Sequence, residues 1–432
     1  MKKLIYLASC LTLVSAITSC KKEAVNPTTN NGNGAAITYT PEQNKSNLQQ
    51  TGLDAMKEID EAKNMKVIDN LIYFSELVDI NDPMESTKAS TLMPIIMVNA
   101  LTKFKETGNH EFIYSAMKQT KSLSSDTSVE SLFNNNKGIY SWNESEKKWD
   151  KTTSNSLIFK FPATKQNSGN NATYTIDYTP YTGTAAATEL KGNMPSSLTA
   201  KLDIDNTNYL TFGFNANYDS EGIPTAITSN LKVENFNFGL AMTSSASEVS
   251  SKFSFTHLDK IVVAMGCTFK GDFLKSNLEN LEDNITKTED ANKLVTSMSA
   301  YFQILNVKLE SSADVQAFTD AIKAKGGSDN INNDSEWTSL INKYLITSIF
   351  YTDKNAKIGS GEMYMKPYTE TYTVWENGVA VQKTENKEDT SIRIVFEDGS
   401  KIDLETYFSN GFDKLENEFE NFINSMENNY KI

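Results

Sequence analysis

The chain is short of the residues that most protein chemistry uses. Its 432 residues include three cysteines and two histidines, and Arg393 is the sole arginine. His110 and His257 have no second His or Cys at ligand spacing, which argues against a zinc site. His110-Glu111 lacks the second histidine of a zincin motif. A single guanidinium rules out the arginine clusters that grip phosphates and carboxylates bidentately. Positive charge is scarce too: 41 Lys and Arg stand against 55 Asp and Glu, a net charge of −14. That balance argues against nucleic acid and against electrostatic docking on anionic lipid.

Several nucleotide, hydrolase and calcium motifs are also missing. There is no Walker loop and no GxGxxG. Gly359-Ser360-Gly361 lacks the spacing of a nucleophile elbow and leads into a strand-like run. Asp203 and Asp205 have no following glycine, and the stretch from Asp329 to Asp334 puts Ile331 where a calcium ligand should stand. Carboxylates are plentiful, but nothing local marks a pair for acid–base work. The expectation is a protein that is not an enzyme, with no catalytic residue, no metal and no cofactor.

The N-terminus is more informative. Lys2 and Lys3 precede a mostly apolar run, Leu4 to Ile17, too short to span a bilayer and of the right length for a secretory signal. It ends Ile17-Thr18-Ser19-Cys20: an aliphatic residue, two small ones and a cysteine. This resembles the lipobox of bacterial lipoproteins. The resemblance covers residues 1–20 and implies a signal peptide over 1–19, cleavage before Cys20 and acylation of Cys20. Two or three acyl chains hold a protein on a membrane stably. Lys21 stands where an Asp tends to retain lipoproteins in the inner membrane, so the outer membrane is the expected address. The mature chain would carry a net charge of −16 and two cysteines, Cys20 and Cys267, hence no internal disulfide. Cys267 sits in the apolar run Ile261 to Phe269 and reads as a buried, inert thiol.

Residues 20–45, rich in Asn, Thr, Gly and Pro, read as a lipid-anchored flexible tether. Residues 46–432 read as a single large domain. Its first part, 46–136, has helical periodicity: Met56, Ile59 and Ala62 share a face, and Ile68, Leu71, Ile72, Ser75 and Val78 form a stripe. The segment Leu92-Met93-Pro94-Ile95-Ile96-Met97-Val98 opens a helix that is apolar all round. Such a helix is a central core element, or it lines a cavity for an apolar ligand through Met93, Ile96, Met97 and Leu101.

From 137 to 273 the period becomes two. Leu157, Phe159 and Phe161 alternate with Ile158 and Lys160, and similar runs follow to Tyr218, with turn signals such as Asp205-Asn206 between them. Short connections predict an antiparallel meander. Trp142 and Trp149 flank a hairpin turn, placed either to pair across the strands or to stack on a sugar ring. Residues 274–346 read as helical again: Leu294, Met298, Tyr301 and Leu305 share a face, Ser312 caps a helix that stops at Gly326-Gly327, and Asp334 or Ser335 starts another. Strands return over 347–408, among them Gly361 to Met365, Thr369 to Trp375, Val379 to Thr384 and Ser391 to Glu397, with hairpin turns at Glu376-Asn377-Gly378 and Asp398-Gly399. Residues 409–430 predict a C-terminal amphipathic helix bearing Phe412, Leu415, Phe419, Phe422 and Met426.

The order helices, strands, helices, strands, helix predicts an α+β fold, a large antiparallel meander sheet packed on helices. In outline this is similar to the half-barrel lipoprotein carriers, a likeness at fold level alone. The expected function is an outer-membrane-anchored lipoprotein with a non-catalytic binding role for a hydrophobic or lipid-like small molecule. The alternative is a structural or accessory subunit of an outer-membrane protein complex. A glycan or peptide hydrolase ranks third. Partners would be the membrane, through the Cys20 lipid, and a hydrophobic ligand or an outer-membrane protein, with no nucleic acid.

Overall fold

The computed structural model describes residues 39–61, 65–81, 83, 129–183, 195–274, 292–331, 333–354, 356–376 and 379–408. Three helices come first: α1 (Pro41–Glu61), α2 (Val67–Ile80) and α3 (Val129–Asn136). Ten strands follow: β1 (Gly138–Asn143), β2 (Lys148–Thr152), β3 (Leu157–Phe161), β4 (Ala172–Pro180), β5 (Pro195–Ile204), β6 (Thr207–Tyr218), β7 (Pro224–Val233), β8 (Phe236–Ser244), β9 (Glu248–His257) and β10 (Lys260–Gly271). Then come β11 (Val295–Ile304), β12 (Val307–Asp314), α4 (Val315–Ala324), α5 (Asp334–Tyr344), β13 (Leu345–Tyr351), β14 (Ala356–Glu376), β15 (Val379–Phe396), β16 (Lys401–Asp403) and α6 (Leu404–Phe408).

The strands pair with their chain neighbours, antiparallel from β16 back to β11 and again from β8 back to β3, the latter run ending β3-β1-β2. The coarse expectation of a large antiparallel sheet with helices therefore holds. The meander fails at one end, where β1 pairs with β3 in parallel and β2 takes the outside. The β1–β2 hairpin leaves one side of β1 open, and β3 fills it by crossing over. Two compact units are present. Among the described residues, one comprises those within 54–244 and 251–264, and the other those within 39–53, 245–250 and 265–408.

In the unit that starts at Asp54, α2 supplies the helical side of the core. Val67, Ile68, Leu71, Phe74, Leu77 and Val78 are buried, a spacing of three and four; of the stripe expected there Ile68, Leu71 and Val78 are buried, Ile72 and Ser75 are half-buried, and Phe74 and Leu77 are not part of it. Phe74 is the hub: its ring lies 4.8 Å from Phe161, 5.3 Å from Phe159, 5.8 Å from Tyr174 and 6.1 Å from Trp149. Those partners are the inward residues of β2, β3 and β4, placed by the period of two. Lys66, at the N-cap of α2, makes no capping bond with its side chain. The cap comes instead from Glu234, in the turn between β7 and β8, whose Oε1 accepts from Val67 N at 2.8 Å. A carboxylate there also meets the positive end of the helix dipole.

Trp142 and Trp149 face one another across β1 and β2, edge to face at 5.3 Å, and both are buried. Cross-strand pairing, and not sugar stacking, is their use here. His257 ends β9 and its Nδ1 is paired with Glu58 of α1, while its ring stacks on Phe236 at 4.2 Å. This pair ties helix to sheet inside one unit and gives His257 a structural place.

In the other unit, Leu48, Ile349, Tyr351, Ile358, Ile394, Phe396 and Tyr407 form one core cluster, and Ile322, Ile331, Leu340 and Tyr344 a second. Three expectations need correction here. The segment with Leu294, Met298, Tyr301 and Leu305 is a β-hairpin, β11 and β12, and not a helix. Spacing of four and three fits a helix, but Val295, Thr296, Tyr301 and Phe302 favour strand, and Leu305-Asn306 makes the turn with Leu305 at φ 47°. Ser312 lies in β12; the cap of α4 is Asp314, whose carboxylate accepts from Ala317 N at 2.9 Å. Cys267 lies on β10 in no disulfide among the described residues, and it is partly buried where full burial was expected.

The first helix begins at Pro41, inside the stretch read as tether. Thr40 and Gln43 explain it: Thr40 N donates to Gln43 Oε1 at 2.9 Å and Gln43 N donates to Thr40 Oγ1 at 3.3 Å. Thr40-Pro41-Glu42-Gln43 is a capping box with proline at its first helical position, a signal that outweighs the polar composition around it. Helix α5 starts at the expected place, with Asn333 as its cap.

A candidate interaction surface on a two-stranded ribbon

The strands expected over 361–365 and 369–375 are one continuous strand, β14, and those over 379–384 and 391–397 are one strand, β15. They pair without interruption from Gly359 and Phe396 to Glu376 and Val379. Thr and Tyr recur through β14, with Val374 and Trp375 near its end, and the pairing register with β15 never shifts.

The base of this ribbon is held on each edge. β13 pairs with β14 only as far as Gly361. There the chains run close, since a Cβ on Gly361 would lie 3.0 Å from Thr347 side-chain carbons and one on Gly359 would lie 2.7 Å from Val395 O. The Gly-Ser-Gly segment is thus a close-packing device and no hydrolase elbow. Past Gly361, Asn342 of α5 takes over: its Nδ2 donates to Met363 O at 2.7 Å and its Oδ1 accepts from Met363 N at 2.9 Å. One side-chain amide thereby closes the strand edge for one residue more.

On the opposite edge, β16 covers β15 only at Arg393 to Val395. A polar cluster joins β14, β15 and β16 on one face. Asp403 accepts from Tyr364 OH at 2.8 Å, Ser391 Oγ at 3.1 Å, Thr406 N at 3.0 Å and Thr406 Oγ1 at 3.2 Å, and pairs with Lys366 Nζ at 3.2 Å. Burial pushes this carboxyl up, but the Thr406 amide, the two hydroxyls and the Lys366 ammonium outweigh it and hold Asp403 well below the usual carboxylate range. Beside it, Glu362 accepts from Arg393 Nε at 2.9 Å and Lys401 Nζ at 2.8 Å. Arg393, the sole arginine, also lies over the Tyr364 ring at 4.5 Å. It is a clamp on the ribbon base.

Beyond Lys366 and Asp389 no strand among the described residues pairs with either outer edge. The ten pairs from Pro367–Glu388 to Glu376–Val379 extend about 30 Å as a two-stranded ribbon. Pleating sorts the side chains. Tyr368, Tyr372 and Val374 lie on one face with Lys383, Lys387 and Val381. Thr369, Thr371, Thr373 and Trp375 lie on the other with Gln382, Thr384 and Asn386. Tyr368 and Tyr372 are exposed, and Trp375, next to the turn, is 75% exposed. An ion pair of Lys387 with Glu370 braces the aromatic face.

Elsewhere in this unit, a small apolar depression of about 10 Å³ is lined by Leu309, Ile349, Met363, Ile392, Ile394 and Leu404. That volume admits about one water molecule and no lipid. The residues expected to bind a hydrophobic ligand, Met93, Ile96, Met97 and Leu101, lie outside the described residues, as do Cys20, His110 and the helix expected over 409–430. Among the described residues, no group of three His, Cys, Asp or Glu is placed to hold a metal, and no helix is long and apolar enough to cross a membrane. Sequence reading found the strands of the ribbon but missed their fusion. It also missed Asp403, Asn342 and Glu234, whose most distant partners lie 21 to 167 residues away. Compared with protein-family models, with curated proteins and with solved structures, the chain matches none of them.

Proposed function

We propose that this protein is a lipid-anchored lipoprotein of the bacterial outer membrane that binds a partner protein of the envelope, as an accessory subunit and without catalysis. The observation that carries the reading is the clamped ribbon with exposed Tyr368, Tyr372 and Trp375. An isolated two-stranded ribbon is marginal in water, and aromatic residues are the usual anchors of protein interfaces. The lipobox at Ile17 to Cys20 supports the membrane address. The order of preference from sequence is thereby reversed: exposed aromatics favour a protein partner over a small hydrophobic ligand.

The test is affinity capture from a gently solubilised envelope with full-length protein and its Trp375→Ala and Tyr372→Ser variants. The expected outcome is one or more envelope proteins that copurify with the wild type and fall away with either variant. Equal capture by all three would overturn the reading of the ribbon.

A further inference from the structure

We infer that the outer edge of β15 pairs antiparallel with the same edge of a second copy, about a two-fold axis through Asn386. The inference rests on the reading of the ribbon as an interaction element, and it names one occupant for a part of it that the aromatics do not use. Among the described residues no strand covers this edge, and it is wet: every residue from Gln382 to Thr390 is exposed, and β16 covers β15 only from Arg393 onward.

The charges along this edge select the pairing. In an antiparallel pair about an axis normal to the sheet, each strand keeps its own faces, so the axis must pass through a residue. Lys383, Glu385, Lys387 and Asp389 share one face of β15, by alternation. An axis at Asn386 sets Glu385 opposite Lys387 and Lys383 opposite Asp389, and the two-fold repeats both pairs. An axis at Glu385 would set Lys383 against Lys387. An axis at Lys387 would set Glu385 against Asp389. Axes at Thr384 or Glu388 match only half as many opposite charges. An edge charged with one sign repels a second copy of itself. This edge carries alternating signs, which repel the neighbouring same-face registers and favour one.

The open length fits as well. The window from Val381 to Ser391 is centred on Asn386 and stops two residues short of Arg393, where β16 begins. Two copies can therefore share eleven residues of ladder, with Ala380 and Val379 of each copy bending away from Asp403 of the other, which already pairs with Arg393. A strand from a different protein could use the same backbone groups, but nothing would require it to match this charge order.

Register-specific cross-linking tests this on the full-length protein in mild detergent. Asn386→Cys stands opposite its own copy and, on mild oxidation, should form a disulfide dimer about tenfold faster than Thr384→Cys or Glu388→Cys, which face each other and not themselves. Mixing the last two variants should restore the cross-link between them. The wild type, with Cys267, sets the background. Sedimentation gives a second readout: K383E/K387E should be monomeric, E385K/D389K should be monomeric, and their mixture should return to the dimer mass. If Asn386→Cys cross-links no faster than its neighbours, or the mixture stays monomeric, the self-pairing is overturned. Trp375→Ala should keep the cross-link, so loss of partner capture and loss of self-pairing are told apart.

Discussion

Asp403 shows how much can depend on one side chain that sequence does not mark. It lies between two short elements and collects hydroxyls, an amide and an ammonium from β14, β15 and α6. Hydrogen bonds to a charged group contribute about 1.5–3 kcal/mol, so Asp403→Asn should lower stability by about 2 kcal/mol in urea denaturation at neutral pH. The pH dependence follows from the sign of the shift. A carboxylate held below its unfolded pKa stabilises the fold fully above the ordinary carboxylate range, and that contribution drains away as pH falls through and below it. Unfolding midpoints measured from pH 7 down to pH 3 should fall more steeply for the wild type than for Asp403→Asn. His257 gives a second residue-scale prediction. Its pairing with Glu58 and its stack on Phe236 are structural, so His257→Ala should cost about 1–2 kcal/mol in melting experiments. From sequence alone His257 reads as a residue at a strand end, which is correct; its partner is 199 residues distant and could not be read.

At the scale of elements, local signals and distant contacts divide the work. The stripe on α2 was legible because a helix repeats every 3.6 residues and its core face follows from that. Its cap was not, because Glu234 arrives from another turn; Glu234→Ala should destabilise by about 1 kcal/mol, with the loss of amide protection confined first to the N-terminal turn of α2 in hydrogen exchange. The β11–β12 hairpin was misread since apolar spacing of three and four can arise by chance in a strand rich in Thr, Ser and aromatic residues. The ribbon is the opposite case. Its two hairpin strands were visible, but their continuity through Pro367 and Asn386 depends on pairing, which only the register shows. Asn342→Ala should free the edge at Met363 and shorten the clamp, at a cost of about 1–2 kcal/mol. Trp375→Ala, with its side chain in solvent, should change stability by less than about 0.5 kcal/mol while it removes partner capture.

For the whole molecule, the proposed anchor makes a prediction that needs no knowledge of the fold. Protein expressed with its own leader should enter the detergent-rich phase on Triton X-114 separation, and Cys20→Ser should move it to the aqueous phase. Composition and spacing determined a good deal by themselves: the acidic balance, the shortage of arginine and histidine, the alternating strands and the inward Phe159 and Phe161. These are properties of local chemistry or of a fixed backbone period, and each is contained in a few neighbouring residues. Tertiary structure decided the rest. It set β3 beside β1 in parallel, split the described residues into two compact units, gathered Tyr364, Ser391, Asp403 and Thr406 into one clamp, and left the outer edge of β15 open from Val381 to Ser391. Those features depend on which segments meet across long stretches of chain, and the energy that selects such meetings is shared among many weak contacts and written in no single motif.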